Sequence, residues 1–320
     1  TTSSPGRPED GAAAMTAVTS GIFAAALTPL HEDLSADHAL FARHCRWLLD
    51  NGCDGLSILG TTGEANSFSR EERIEILDRL LAAGIPAGRL MPGSGCCATP
   101  DTVALSRHAT VHGVAGVLVL PPFYYKGVSE DGLFAAYSEV IERVGDGKLR
   151  VYLYHFPQMT AVPISDRLIE RLLRRYPGIV AGVKDSSGDL ARMIATAHAF
   201  PGFRVLAGSD ECLLPLLRQG GAGCITAACN VAAFLAAKVL KAHAAGDTPA
   251  AEAAQVRLDA VRAAVSAHPL SAALKEIMAG HSGIESWRAI RPPLVRLATA
   301  EAAALASALD RLAFVPPPLG

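Results

Sequence analysis

Residues 179–207, IVAGVKDSSGDLARMIATAHAFPGFRVLA, set the pattern that decides the fold. The stretch begins with a short apolar run, Ile179–Lys184, continues through a segment with helical spacing, Gly188–Ala199, and ends in a second apolar run, Arg204–Ala207. Short runs rich in valine, isoleucine and leucine are typical of parallel strands that are buried on both faces. The stretch therefore predicts a strand, a helix and a second, parallel strand.

The same alternation extends outward from this unit in both directions. Eight short apolar runs are bounded by glycine or proline and separated by helical segments: Ile22–Leu27, Gly55–Leu59, Leu90–Gly93, Gly116–Leu120, Arg150–Tyr154, Ile179–Lys184, Arg204–Ala207 and Gly223–Thr226. Eight such alternations are typical of a (β/α)8 TIM barrel, an α/β fold. Beyond them the sequence is rich in alanine and leucine and predicts a C-terminal α-helical extension. We predict a flexible tail at residues 1–20, the barrel at 21–230 and the extension at 231–320.

Composition and charge restrict the class of partner. The chain has 320 residues, of which half are hydrophobic, and its 29 basic and 31 acidic residues give a net charge of only -2. Without a basic run, the sequence predicts no nucleic-acid partner and no membrane partner. The apolar runs are also far shorter than the ~20 residues that span a bilayer. The seven cysteines form no C-x-x-C pair, which favours reduced thiols in a cytoplasmic protein.

Two nucleotide-binding motifs are missing where their folds would need them. A doubly wound dinucleotide-binding sheet carries G-x-G-x-x-G directly after its first strand, but here that strand runs into Thr28-Pro29-Leu30. The phosphate-binding pattern G-x-x-x-x-G-K-[ST] does not occur in the chain. The sequence therefore predicts no nucleotide cofactor.

Reacting groups in a TIM barrel lie at the carboxyl ends of the strands, and Lys184 ends the sixth run. Partial burial of an amine favours its neutral form, which is a nucleophile that attacks a ketone to give an imine. The protonated imine withdraws electrons and allows a neighbouring C–C bond to form or break. The alternative is an ammonium group that pairs with Asp185 at the rim of the barrel.

Two further strand ends carry candidate groups. Thr61 and Thr62 lie between glycines after the second run, where hydroxyls and backbone N–H groups can bind an anion, or where a threonine simply caps a turn. Tyr154 ends the fifth run, where a phenol can relay protons, or where a half-buried tyrosine has its hydroxyl satisfied. Because Thr62, Tyr154 and Lys184 all fall at the same end of one barrel, we expect a single site.

Four motifs resemble those of the dihydrodipicolinate synthase and N-acetylneuraminate lyase superfamily of class I aldolases, over residues 21–268. They are GTTGE at 60–64, YHFP at 154–157, GVKDSSGD at 182–189 and GGAGCIT at 220–226. The resemblance implies a pyruvate Schiff base on Lys184, with Tyr154 as the proton donor and acceptor. It implies that Thr61 and Thr62 hold the pyruvate carboxylate, and that neither a metal nor an organic cofactor takes part.

The resemblance also implies residues beyond these motifs. Tyr124, with Tyr125 as the alternative, matches a tyrosine that completes the proton relay of a neighbouring subunit together with Thr62. Gly208 and Ile225 match positions that line the pyruvate pocket. The implied assembly is a homotetramer, a dimer of dimers.

Departures from the family pattern bear on the second substrate. Dihydrodipicolinate synthases carry an arginine after the tyrosine motif that binds a carboxylate, and Met159 stands there in this chain. Because methionine cannot bind a carboxylate, condensation with aspartate semialdehyde is disfavoured. Cys97 replaces the asparagine of the allosteric lysine site, so we expect no feedback by lysine. Asp210 and Glu211 resemble residues that bind a polyhydroxylated tail, or else they favour the dipole of the following helix.

His108 and His112 have the spacing of two metal ligands on a helix, but without a third ligand in the sequence they predict a solvated helix face.

The prediction for the whole chain is a lyase that makes or cleaves a C–C bond between pyruvate and an aldehyde. Its substrate would be a 2-keto acid, with sugar-derived acids among the candidates. Two alternatives stay open: a 4-hydroxy-tetrahydrodipicolinate synthase-type condensation, and a catalytically silent barrel that binds keto acids.

Overall fold

The computed structural model describes residues 19–318 and contains a parallel sheet of seven strands. The order of the strands in the sheet is β2-β1-β7-β6-β5-β4-β3. The strands are β1 Gly21–Ala25, β2 Gly55–Ser57, β3 Val117–Val119, β4 Val151–His155, β5 Val180–Asp185, β6 Arg204–Ala207 and β7 Gly223–Thr226. This order is that of a barrel opened between β2 and β3, which confirms the TIM-barrel prediction.

The segment Leu90–Gly93 fills the gap between β2 and β3. Leu90 forms a parallel bridge with Leu56, and Gly93 forms one with Leu118. The amide of Met91 donates to the Leu56 carbonyl at 2.8 Å, and the amide of Leu118 donates to the Pro92 carbonyl at 2.9 Å. The prediction of eight regular strands is wrong at this run. Because Pro92 has no N–H to give to a ladder, the segment closes the barrel through isolated bridges.

Helices cover the outside of the barrel and continue beyond the last strand. Several begin at a serine that caps the first turn; Ser69, for example, forms a capping box with Glu72. The helices are α1 His38–Asp50, α2 Arg70–Ala82, α3 Thr99–Val111, α4 Glu130–Val144, α5 Pro157–Thr160, α6 Asp166–Arg175, α7 Leu190–Ala199, α8 Leu213–Leu217, α9 Cys229–Ala244, α10 Thr248–Ser266, α11 Leu270–Ser282 and α12 Thr299–Arg311.

The core consists of two layers because successive residues of a strand point to opposite faces. A small cluster fills the interior of the barrel, with Phe23, Met91, Tyr152 and Leu206 among its fully buried members. A much larger cluster lies between the strands and the surrounding helices. Side chains therefore pack the barrel interior, which leaves the reactive groups to its carboxyl-terminal end.

The C-terminal helices are joined to the barrel by buried polar contacts. Asn230, at the start of α9, donates to the Ala25 carbonyl at 2.8 Å and accepts from the Leu27 amide at 2.9 Å. On α10, Gln255 donates to the backbone carbonyl of Asp210 at 2.9 Å. Helix α9 crosses residue 230, so the division into a barrel at 21–230 and an extension at 231–320 stays a prediction. The predicted tail falls almost wholly on residues 1–18, which lie outside the described residues.

Of the helices described here, none has both the length and the apolar character that crossing a membrane requires.

Five of the seven cysteines are buried, Cys96 is partly exposed and Cys97 is exposed.

Candidate active site

A cavity of about 580 Å³ opens at the carboxyl ends of the strands. One side of it, which we name the barrel wall, is formed by the strand ends and the loops after them, including Thr61, Thr62, Tyr154, Lys184 and Gly208. The other side, the helical wall, comes from α10, α11 and the segment after α11: Arg262, Pro269, Leu270, Ser271, Ala272, Ile290, Pro293, Leu294 and Val295.

Lys184 and Tyr154 lie side by side on adjacent strands of the barrel wall. They are register partners of β5 and β4, and both side chains are buried although they line the cavity. The Lys184 Nζ atom lies 4.4 Å from the centroid of the Tyr154 ring. The amine therefore lies against an aromatic ring, and the Lys184 side chain is largely removed from bulk water.

Asp185 turns away from the cavity because it follows Lys184 directly in the strand. Its carboxylate accepts from Arg192 Nη1, from the Ser187 amide at 2.9 Å and from the Ser187 hydroxyl at 2.5 Å. Within the described residues Lys184 has no ion pair. The alternative in which Lys184 pairs with Asp185 at the rim is therefore wrong, since the carboxylate is fully engaged on the outer face.

The turn that carries Thr61 and Thr62 presents donors to the cavity. Neither of their backbone amides donates to another residue within 19–318. The Thr61 hydroxyl lies 3.4 Å from the Tyr154 hydroxyl, so the turn and the phenol are adjacent. Backbone N–H groups without a partner, beside hydroxyls, are groups that can bind an anion.

Glu64, which ends the GTTGE motif, has a structural role at this site that the sequence reasoning missed. Its backbone adopts the left-handed region (φ 58°), and its buried carboxylate accepts from Lys275 Nζ on α11 and from the Arg291 amide at 2.8 Å. Burial lowers the pKa of Lys275, although Glu64 opposes that effect. This buried ion pair fixes the threonine turn to the helical wall, and no local sequence signal predicts a pair 211 residues apart.

The two predicted pocket positions, a glycine and an isoleucine, differ in their placement. Gly208 lines the cavity, and a Cβ atom at that position would lie 2.1 Å from the Ser186 hydroxyl oxygen and 2.8 Å from the Asp185 carbonyl. Only glycine fits this close approach. Ile225 is fully buried in the interior cluster that also contains Tyr154, but it is not one of the residues lining the cavity.

Asp210 and Glu211 do not line the cavity. Asp210 is fully buried and accepts from the Thr226 hydroxyl at 2.6 Å, and its burial raises its pKa to about 6. Glu211 accepts from the Ser209 hydroxyl. Both lie at the start of the short 3-10 helix Asp210–Cys212, as expected if the two acids favour the dipole of the following helix. The Asp210 side chain is therefore not placed to contact a substrate in this cavity directly.

Arg262 on α10 is the second residue that sequence reasoning missed. Its side chain is only 16% exposed and lines the cavity, and its Nε lies 3.8 Å from both Asp210 Oδ2 and Glu211 Oε1. Both contacts are ion pairs, although at that distance neither is a hydrogen bond. Apart from Lys184, Arg262 is the one cationic residue among the described residues that line the cavity.

Tyr124 and Tyr125 lie on the loop after β3 and are 74% and 72% exposed. Their rings pack against each other with centroids 5.4 Å apart, and neither lines the cavity of its own chain.

Met159 does line the cavity, with 61% of its surface exposed. The described lining contains no histidine, cysteine or carboxylate side chain, so the cavity offers no metal-ligand set.

Comparison with known proteins agrees with this geometry. A sequence model of the dihydrodipicolinate synthetase family matches residues 18–312. An uncharacterized DapA-like lyase of Chloroflexus aurantiacus is 39% identical over 296 residues, which cover 91% of this chain and 96% of that protein. The 4-hydroxy-tetrahydrodipicolinate synthase of Agrobacterium fabrum is 31% identical, covering 90% and 97%. The crystal structure of YagE from E. coli in complex with pyruvate has a TM-score of 0.85 at 29% identity, covering 93% and 100%.

Proposed function

This chain belongs to the dihydrodipicolinate synthetase family and is a lyase, and from that premise we propose that it is an aldolase that joins or separates pyruvate and an aldehyde through a Schiff base. The observation that carries the proposal is the environment of Lys184. Its amine is buried in the cavity beside Tyr154, while the neighbouring carboxylate of Asp185 is engaged on the other face of the strand.

The reaction begins with attack of the neutral Lys184 amine on the keto carbon of pyruvate. A proton moves from nitrogen to oxygen to give a carbinolamine. Its hydroxyl takes up one more proton and leaves as water, which gives a protonated imine. Loss of a methyl proton then gives an enamine, whose carbon attacks the aldehyde and forms the C–C bond. Water finally hydrolyses the imine and returns the free amine. In the opposite direction the same steps cleave a 4-hydroxy-2-keto acid.

We assign the pyruvate carboxylate to the turn at Thr61 and Thr62, because its unbonded amides and hydroxyls supply donors for one anion. Tyr154 lies between that turn and Lys184, so its phenol can carry protons in the carbinolamine steps. Tyr124 of a neighbouring subunit would connect Thr62 and Tyr154 to solvent. Its exposure on its own chain supports this role in a homotetramer built from two dimers.

The relatives support pyruvate as one reactant. YagE, at 29% identity over almost the whole chain, is described in complex with pyruvate. The synthase from Agrobacterium fabrum represents the alternative, condensation with aspartate semialdehyde. Met159 disfavours that alternative, since its thioether offers the second substrate no charged donor at this side of the cavity.

The second reactant is bound against the helical wall, and Arg262 is the group that selects it. The cavity of about 580 Å³ is far larger than pyruvate, so most of the lining faces the aldehyde. A guanidinium with no hydrogen bond to a described residue can bind an acidic end group through two parallel hydrogen bonds. We therefore propose an aldehyde whose carboxylate lies at its far end, against the helical wall, and not at the Met159 side of the cavity where the synthases carry their arginine.

Borohydride trapping tests the central step. Incubation with pyruvate and sodium borohydride should add the reduced pyruvyl group to one lysine, and peptide mass spectrometry should locate it at Lys184. The matched control is Lys184→Arg, which keeps the charge and should remain unlabelled. An unmodified Lys184 in the wild-type protein would leave only the silent keto-acid-binding alternative.

Matched ligands test the role of Arg262. The dicarboxylate 2-oxoheptanedioate and the monocarboxylate 2-oxoheptanoate share a head group and differ in the charge of the tail. Arg262→Gln should weaken binding of the dicarboxylate by about 10- to 100-fold, the range for hydrogen bonds to charged groups, and leave the monocarboxylate unchanged. Arg257→Gln, on the exposed face of the same helix, is the control. Equal losses for both ligands would assign Arg262 a purely structural role.

A further inference from the structure

Two histidines and an aspartate converge on helices that cover the outside of the barrel, and none of the three lines the cavity. His108 belongs to α3, His112 caps the end of that helix, and Asp78 belongs to α2. One ligand atom from each lies within 4.8 Å of the other two. We propose that these three residues bind a divalent transition-metal ion, with zinc as the representative of that class. The inference is independent of the pyruvate chemistry.

The distances between the ligand atoms are close to those of a zinc site. His108 Nε2 lies 2.7 Å from Asp78 Oδ1, and His112 Nε2 lies 3.7 Å from the same oxygen. Zinc–ligand bonds of about 2.0–2.2 Å at tetrahedral angles separate neighbouring ligand atoms by about 3.4 Å. To reach that separation, the His108–Asp78 distance must lengthen by about 0.7 Å and the His112–Asp78 distance must shorten by about 0.3 Å.

The donor set is also that of a zinc site. Residues four apart lie on the same face of a helix, and two histidines at this spacing bind zinc through Nε2 in helical metal motifs. In sites with two histidines, a carboxylate from another element is the usual third ligand. The sequence alone offers no third ligand, but packing of α2 against α3 supplies Asp78, which precedes His108 by 30 residues.

The surroundings of the cluster suit a cation. The three side chains are between 25% and 46% exposed, so an ion can enter and keep water in its remaining positions. His112 stands at the carboxyl end of α3, where the helix dipole places partial negative charge. Arg79, beside Asp78, forms an ion pair with Glu75 at 3.2 Å and so does not occupy the site.

The site binds a metal without the means for hydrolysis. Helical zinc motifs that hydrolyse peptides carry a glutamate directly after the first histidine, and buried Ala109 stands there. The amino-terminal ends of the same two helices are already joined by the pair Arg70–Asp101, at 3.1 Å. A metal at the cluster would join their carboxyl-terminal ends and stabilise the folded state, because the unfolded chain does not hold the three ligands together.

Titration of the metal-free protein with zinc chloride by calorimetry, together with its Tm with and without zinc, tests the proposal. We expect one zinc ion per chain and a Tm that rises with zinc. His112→Gln should weaken binding by more than about 10-fold, since loss of even an indirect partner of a metal ligand costs that much. The variant keeps the Asp78–His108 hydrogen bond. It removes exposed contacts of His112, an ion pair with Asp78 at 3.7 Å and ring packing against His108, so its Tm without zinc should stay close to that of the wild type.

Two controls identify the site. His198→Gln removes an exposed histidine on α7, and Cys97→Ser removes the exposed thiol; both variants should bind zinc as the wild type does. The absence of zinc binding in the wild type, or equal affinity in the wild type and His112→Gln, would overturn the proposal and leave Asp78–His108 as a simple interhelical hydrogen bond.

Discussion

The two walls of the cavity are built in different ways. The barrel wall consists of strand ends and tight turns, and Lys184, Tyr154 and Thr61 reach it from three short local motifs. The helical wall consists of distant segments that are mostly apolar, with Arg262 as its single cation. We therefore assign the bond-forming chemistry to the barrel wall and the choice of aldehyde to the helical wall.

The largest effect is expected at Lys184. Lys184→Ala removes the nucleophile, and the rate of aldol formation should fall by about 10⁴-fold or more, as for other covalent catalysts. Steady-state assay of pyruvate consumption with an aldehyde measures the loss. Lys148→Ala, on an exposed loop before β4, should retain full activity. If the Lys184→Ala variant kept a tenth of the wild-type rate, the Schiff-base mechanism would be untenable.

A smaller effect on rate is expected at Tyr154. Tyr154→Phe removes the phenolic proton donor, and kcat should fall by about 10²- to 10³-fold. The stability of this variant should change little, because within residues 19–318 the hydroxyl makes one long contact, with the Thr61 hydroxyl at 3.4 Å. Tyr152→Phe is the matched control: its hydroxyl lacks a hydrogen-bond partner among the described residues, and burial raises its pKa to about 12. Equal losses in both variants would contradict a proton-transfer role for Tyr154.

The Lys275–Glu64 ion pair, which connects the two walls, should contribute to the stability of the fold. Lys275→Met leaves the buried Glu64 carboxylate without its charged partner, and the free energy of unfolding should fall by about 3 kcal/mol. Urea denaturation measures it. The double variant Glu64→Gln/Lys275→Met should recover much of the loss. Glu75→Gln, in the exposed pair with Arg79, should change stability by less than about 1 kcal/mol. A similarly small change in Lys275→Met would mean that the Lys275–Glu64 pair contributes little to stability.

The smallest expected effect is a dependence of stability on pH. It arises from Asp210, which lies beside Arg262 of the helical wall. Burial raises the pKa of Asp210 to about 6, whereas an unfolded aspartate titrates near 3.9. The folded protein therefore holds this proton more tightly, so the stability that it contributes is complete below about pH 4 and is lost as pH rises through about 6. Asp210→Asn lacks this equilibrium, and its stability relative to the wild type should rise by about 2 kcal/mol between about pH 4 and pH 7. A pH-independent difference would show that Asp210 titrates normally.

Motif-based reasoning succeeded on the barrel wall for a physical reason. In a parallel barrel every strand delivers its last residues to the same end, so Thr62, Tyr154 and Lys184 could be brought together without knowledge of their distances. The prediction failed at Leu90–Gly93, where hydrophobicity indicates a strand but Pro92 prevents a regular ladder. It also left open whether Asp185 pairs with Lys184. The answer depends on the strand continuing through Asp185, which turns the two side chains to opposite faces.

The sequence by itself determined the alternation of strands and helices, the barrel and the identity of the groups at its carboxyl end, because each depends on short-range patterns. Only the tertiary structure decided the contacts between segments far apart in the chain. These are Lys275 on Glu64, Arg262 at the cavity and Asp78 beside His108. Helical periodicity states which face of a helix is buried, but the partner of a given side chain depends on how whole helices pack, which no local pattern encodes.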